Sequence, residues 1–221
     1  MSQTKAIAQL AHIPMETGVL EGMLEIPPQA CGMVLFAHGS GSSRLSPRNN
    51  YVARVLREAG MGTLLIDLLT REEDRNYDTR FDIALLTRRL IQTTDWLRAA
   101  PLTAGFTLGY FGASTGAAAA LQAAALRTDI VAVVSRGGRP DLAGEKQLER
   151  VKAPTLLIVG GFDDVVIDLN RQAYTHLNCQ KQLVIVPGAT HLFEESGTLE
   201  EVARLATDWF RLHLSGEPKH T

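Results

Sequence analysis

Gly112-Ala113-Ser114-Thr115-Gly116 sets one serine between two glycines, after an apolar run (106–111) and before an alanine-rich stretch (117–126). A serine hydroxyl is a poor nucleophile near neutral pH and acts only with an adjacent base. Strand, Gly-x-Ser-x-Gly and helix in succession are the context of a nucleophile elbow, a tight turn that holds the serine up at the end of a sheet. Side chains at 112 and 116 would collide with the neighbouring strand and helix. Thr115 opens the helix, so its backbone N–H has no intrahelical acceptor and can face a developing negative charge. The pattern alone would arise by chance in roughly one such chain in fifteen. The rest of the chain must therefore supply a base, a carboxylate and a second donor.

Of the six histidines, His191 directly follows an apolar run (183–186), on the turn Pro187-Gly188-Ala189-Thr190. That position, downstream of Ser114, assigns His191 as the base. The third member should be a carboxylate that orients the imidazole and stabilises its cation. Asp163 and Asp164 both follow the apolar run 155–159; Asp163 is favoured, and Asp164 reads as a solvated carboxylate or a cap for the next helix. The chain order is then Ser114, Asp163, His191. The second oxyanion donor is expected in the loop after the apolar run 33–37, where His38-Gly39-Ser40-Gly41 nominates the Ser40 N–H beside that of Thr115. His38 is expected to brace this loop. The stretch 39–43 (GSGSS) lacks the lysine of a phosphate-binding loop and the glycine spacing of a dinucleotide site.

These residues need a scaffold that gathers them. Short apolar strands at 33–37, 61–69, 106–111, 130–134, 155–159 and 183–186 alternate with helices: one capped by Ser46 with Pro47 at its first position, one over 81–99, one after the serine, one starting near Asp168 and one over 199–214. Residues 7–26 read as an antiparallel hairpin ended by Pro27-Pro28. Such alternation predicts an α/β fold with a mostly parallel central sheet and helices on both faces. Ligands of such sheets bind at the carboxyl ends of the strands, where Ser40, Asp67, Ser114, Arg136, Asp163 and His191 all fall.

Composition narrows the setting. The 221 residues are 45% hydrophobic and 21% charged, with a net charge of −2, as in an ordinary soluble globular protein. Length and pattern predict a single domain over 1–214 and a loose polar tail over 215–221. No basic surplus suggests nucleic acid, and no apolar run suits a membrane span. No long apolar segment near the N-terminus reads as a signal peptide, so the expected location is cytoplasmic. Cys31 and Cys179 are expected to be free thiols. No Cys/His cluster has metal-site spacing, and no metal or cofactor is expected. The oligomeric state is open, a homodimer included.

Taken together, residues 38–41, 112–116, 160–163 and 188–191 give the sequence a resemblance to the α/β-hydrolases, and within them to the small dienelactone-hydrolase-like branch. The resemblance spans nearly the whole chain. It implies hydrolysis of small esters or lactones through Ser114, His191 and Asp163. Dienelactone hydrolases proper use a cysteine nucleophile; the serine here shifts the expectation to general ester chemistry. The same machinery would serve a thioester or amide, and a binding protein without turnover is a further alternative. The short span between residues 134 and 155 leaves no room for a lid domain, so the site should be open. Its walls are then expected from the charged loop 70–80 and from Arg136 and Arg139, which could hold a substrate carboxylate. A surface ion pair of Arg139 or Arg136 with Asp141 is the competing role, and Arg44 is read as structural.

Overall fold

The computed structural model describes residues 6–214; the tail expected over 215–221 lies outside the described residues. In chain order the elements are β1 (Ile7–Met15), β2 (Gly18–Ile26), β3 (Met33–Ala37), α1 (Pro47–Glu58), β4 (Gly62–Ile66), α2 (Ile83–Ala99), β5 (Leu108–Ala113), α3 (Thr115–Leu126), β6 (Ile130–Arg136), α4 (Glu145–Leu148), β7 (Thr155–Gly160), α5 (Asp164–His176), β8 (Lys181–Val186) and α6 (Thr198–Leu214). The strands form one sheet in the order β1-β2-β4-β3-β5-β6-β7-β8. β1–β2 and β2–β4 pair antiparallel, and every later pair is parallel. This is the α/β-hydrolase fold, with the hairpin on one edge and no lid domain: the β6–β7 connection holds only a single 3₁₀ turn, Pro140–Ala143, and the one-turn α4.

Burial explains the composition of the strands. β3, β4, β5 and β7 are buried at every residue, which is why they read as unbroken apolar runs. Two cores follow, one on each face. Leu35, Leu64, Tyr110 and Val133 pack under α2 and α3, and Val34, Leu65, Phe111 and Val134 pack under α1 and α6. α1 begins as expected: Ser46 Oγ accepts the Asn49 N–H at 3.3 Å and Pro47 occupies the first turn. Among the described residues, no helix is long and apolar enough to cross a membrane.

Several boundaries differ from the sequence expectation, among them those of β4, β6 and α5. β4 stops at Ile66: the Asp67 N–H still reaches Glu21 O of β2 at 2.9 Å, while its carboxylate takes Arg44. Leu68 and Leu69 are apolar because they remain buried, not because they pair. β6 runs two residues past Val134, since Ser135 and Arg136 pair with Gly112 and Ala113 on one side and with Leu157 and Ile158 on the other. α5 begins at Asp164, four residues before the expected start.

The sheet and α3 meet most closely at Gly116. A Cβ there would lie on the carbonyl oxygens of Ala37 and His38, both backbone atoms that cannot swing aside. Gly116→Ala should therefore cost about 3 kcal/mol or more by overpacking, measured as a lower denaturant midpoint. A loss below about 1 kcal/mol would show that the β3 loop gives way freely.

Candidate active site

Ser114 sits at the junction of β5 and α3 with φ 49° and ψ −122°, a conformation that an L-residue adopts at a cost of about 1–3 kcal/mol. Two backbone bonds, one to the end of β6 and one from the loop that follows it, hold it there. The Ser114 N–H donates to Arg136 O and the Arg139 N–H donates to Ser114 O, each at 3.2 Å.

Asp163 occupies the cap position before α5, and His191 lies on the turn after β8. The two turns are tied by backbone bonds: Gly161 N–H to Val186 O at 2.8 Å and Phe162 N–H to Ala189 O at 2.9 Å. Glu195 holds the histidine turn from below, accepting from the Thr190 N–H at 3.0 Å and its hydroxyl at 2.6 Å. In this frame His191 Nδ1 lies 2.6 Å from Asp163 Oδ2. A carboxylate at Nδ1 keeps the proton on that nitrogen and leaves Nε2 as the basic one. Asp164 is exposed in the first turn of α5, where a carboxylate suits the helix dipole.

Ser40 and Thr115 also meet, with a difference from the expectation. The Ser40 N–H donates to Thr115 Oγ1 at 2.9 Å, so that amide is engaged by a neighbouring hydroxyl. His38 braces the loop as expected: its Nε2 accepts the Leu68 N–H at 3.0 Å, and Nδ1 bonds Gly39 O at 2.9 Å. Arg44 is structural, paired with Asp67 and with Glu21.

Ser114, Ser40 and His191 line one cavity of about 200 Å³, with Arg136, Arg48 and Asn49 in its wall. Ser114 and His191 face it without a direct hydrogen bond between them; such bonds are often long before substrate binds. Arg136 is the last residue of β6 rather than a loop residue, and it is only 7% exposed. Burial, with repulsion from Arg48, pushes its pKa down to about 10. Arg139 is not among the residues that line the cavity; its Nε and Nη2 donate to Asp141 at 2.9 and 2.7 Å. The loop 70–80 does not line this cavity; Asp74 and Arg80 line a small one with Ser40 and Thr115, and Thr70, Arg71 and Asp74 face another with Ser42 and Arg44. The wall instead comes from the start of α1, which sequence reasoning missed. Arg48 and Asn49 directly follow the Ser46-Pro47 cap, and a helix starting there must open at the carboxyl edge of the sheet.

The dienelactone hydrolase family model matches residues 20–214. The chain belongs to the dienelactone hydrolase family. A crystal structure of a dienelactone hydrolase from Anabaena variabilis is 55% identical, with a TM-score of 0.92 over 96% of this chain and all of that one. A lidless α/β serine hydrolase from Xanthomonas campestris is 22% identical, with a TM-score of 0.78 over 99% of this chain and all of that one; at that identity the likeness is one of fold. A curated Mycobacterium tuberculosis protein named "Putative phosphoribosyl transferase" is 62% identical over 196 residues, 88% of this chain. The chain spans 44% of the length of that curated relative.

The buried His38 gives the Ser40 loop a pH dependence. Burial holds its pKa below the ordinary 6.5, so the folded chain resists a proton that the unfolded chain accepts. The His38 contribution is therefore complete above 6.5 and is lost as pH falls below it. His38→Gln should flatten this part of the curve: the wild-type advantage in Tm should shrink between about pH 7 and about pH 5. An advantage constant across that range would show that His38 does not titrate differently on folding.

Proposed function

We propose that this member of the dienelactone hydrolase family is a serine hydrolase of carboxylic esters or lactones. The observation that carries the reading is the 2.6 Å bond of Asp163 to His191 beside a strained Ser114 in one shared cavity. In this mechanism Ser114 Oγ attacks the ester carbonyl while His191 Nε2 takes its proton. The Thr115 N–H stabilises the tetrahedral oxyanion, joined by the Ser40 N–H as it leaves the Thr115 hydroxyl. His191 then protonates the departing alcohol, activates a water, and releases the acid. Arg136 faces the bound substrate from the cavity wall.

The longer mycobacterial relative bears a transferase name. The match covers 88% of this chain, and this chain's own fold and strained Ser114 support the hydrolase reading.

A fluorophosphonate should label the protein once, and Ser114→Ala should abolish both labelling and ester hydrolysis. Equal labelling of the variant would end the assignment of Ser114 as the nucleophile.

Asp163→Asn should lower kcat by on the order of 10⁴-fold by stabilising the wrong tautomer of His191. Asp164→Asn should change it by less than about three-fold, since an exposed first-turn carboxylate contributes only through the helix dipole. The opposite ranking, measured on a chromogenic ester, would move the role to Asp164.

A further inference from the structure

The turn that follows β6 has one backbone group committed at each of four consecutive residues. Arg136 O accepts the Ser114 N–H, and the Arg139 N–H donates to Ser114 O, each at 3.2 Å. Between them the Gly137 N–H donates to Ile158 O of β7 at 2.8 Å. The Gly138 carbonyl finds no backbone donor among the described residues; it accepts instead from the side chain of Asn170, whose Nδ2 lies 3.0 Å away. Asn170 lies in α5, is fully buried, and does not line the cavity of the serine.

This turn has little stiffness of its own. Its centre is a pair of glycines, the most permissive residues, and Gly137 stands in the left-handed region at φ 50°. On one side the turn lies against α3: a Cβ at Gly138 would fall on Ser135 Oγ and on Ala117 Cβ. On the other side Asn170 holds it. The asparagine does so at a cost, because its other donor bond goes to Val166 O at 2.8 Å while its Oδ1 is enclosed without a partner. A leucine of similar size would avoid that unmatched acceptor. It would also leave the Gly138 carbonyl buried and unpaired, and the turn free to shift. Ser114 keeps its strained backbone only where its surroundings over-determine it, and this turn supplies two of its bonds.

We propose that Asn170 is a positioning residue for the nucleophile: by holding Gly138 O it fixes the turn that clamps Ser114. The inference rests on the hydrolase reading and adds a residue remote from the cavity to its machinery. Asn170 acts on the placement of the serine, so its loss should fall on the chemical step and spare substrate affinity.

The test reads the second-order rate of Ser114 labelling by a fluorophosphonate, with kcat and KM on a chromogenic ester, at a temperature where each variant is folded. Asn170→Leu keeps the volume and removes the donor. It should slow labelling and lower kcat by about ten-fold or more, the scale on which small misplacements of reacting groups act. KM should change by less than about two-fold. Asn170→Asp keeps the shape and regains a donor only when its carboxyl is protonated. Burial raises the pKa of such a carboxyl. Its labelling rate, taken as a ratio to wild type at each pH, should therefore rise as pH is lowered from about 9 to about 6. The ratio cancels the titration of His191, which both proteins share. A side chain that only fills space would lower Tm and leave the ratio flat. If the leucine variant does not fold, the ratio for Asn170→Asp decides. Labelling of the folded variants at the wild-type rate, a flat ratio, or a loss of kcat/KM carried by KM alone would overturn the proposal. The hydrolase reading fails by a different result, a wild-type protein that is neither labelled at Ser114 nor active on esters. Wild type labelled at Ser114, with variants equal to it, would sink the role of Asn170 alone.

Discussion

The backbone of Ser114 is the constraint on which the architecture depends. A residue at φ 49° and ψ −122° persists only where its surroundings over-determine it. Three neighbours do so. The end of β6 and the loop after it hold the serine's N–H and C=O with two hydrogen bonds. α3 presses against β5 so closely that a Cβ at Gly112 would lie on the backbone of Ala117. The end of β3 leaves room at Gly116 for no side chain at all. Each contact needs parallel strands ending at one level with a helix leaving directly behind them. The central sheet is thus the least structure that can hold this serine in place.

The same contacts explain how the oxyanion loop reaches the nucleophile. Gly116 lets Ala37 and His38 approach α3, and the loop that follows comes within hydrogen-bond distance of Thr115. The Asp163–His191 pair is held differently, through the backbone bonds of two turns after β7 and β8. Ser114 and His191 therefore rest on separate supports and meet only across the cavity. A packing change beneath α3 should disturb the serine and oxyanion loop before it disturbs the imidazole.

The fold was legible in the sequence because the central strands are buried on both faces and can be written only in apolar residues. The strand ends were less legible. Leu68 and Leu69 are as apolar as β4 yet leave it, because burial without pairing looks the same in sequence as burial with pairing. The strand-end positions of Ser114, Asp163 and His191 followed from residue type and order. The direction of side chains did not. Arg136 and Arg139 lie three residues apart; one points into the cavity wall and the other grips Asp141 two residues ahead. Arg48 and Asn49 were hidden by the habit of reading a helix start only for its cap and apolar face.

Arg136 contributes to the site through two separable parts of one residue. Its carbonyl oxygen holds the Ser114 N–H, and its side chain forms cavity wall. The carbonyl is present whatever amino acid stands at 136. The wall at that point can thus be exchanged in charge, size or polarity while the clamp on Ser114 survives. Position 136 is a place where a lineage of such chains can change what the cavity accepts without rebuilding the turn that holds the serine.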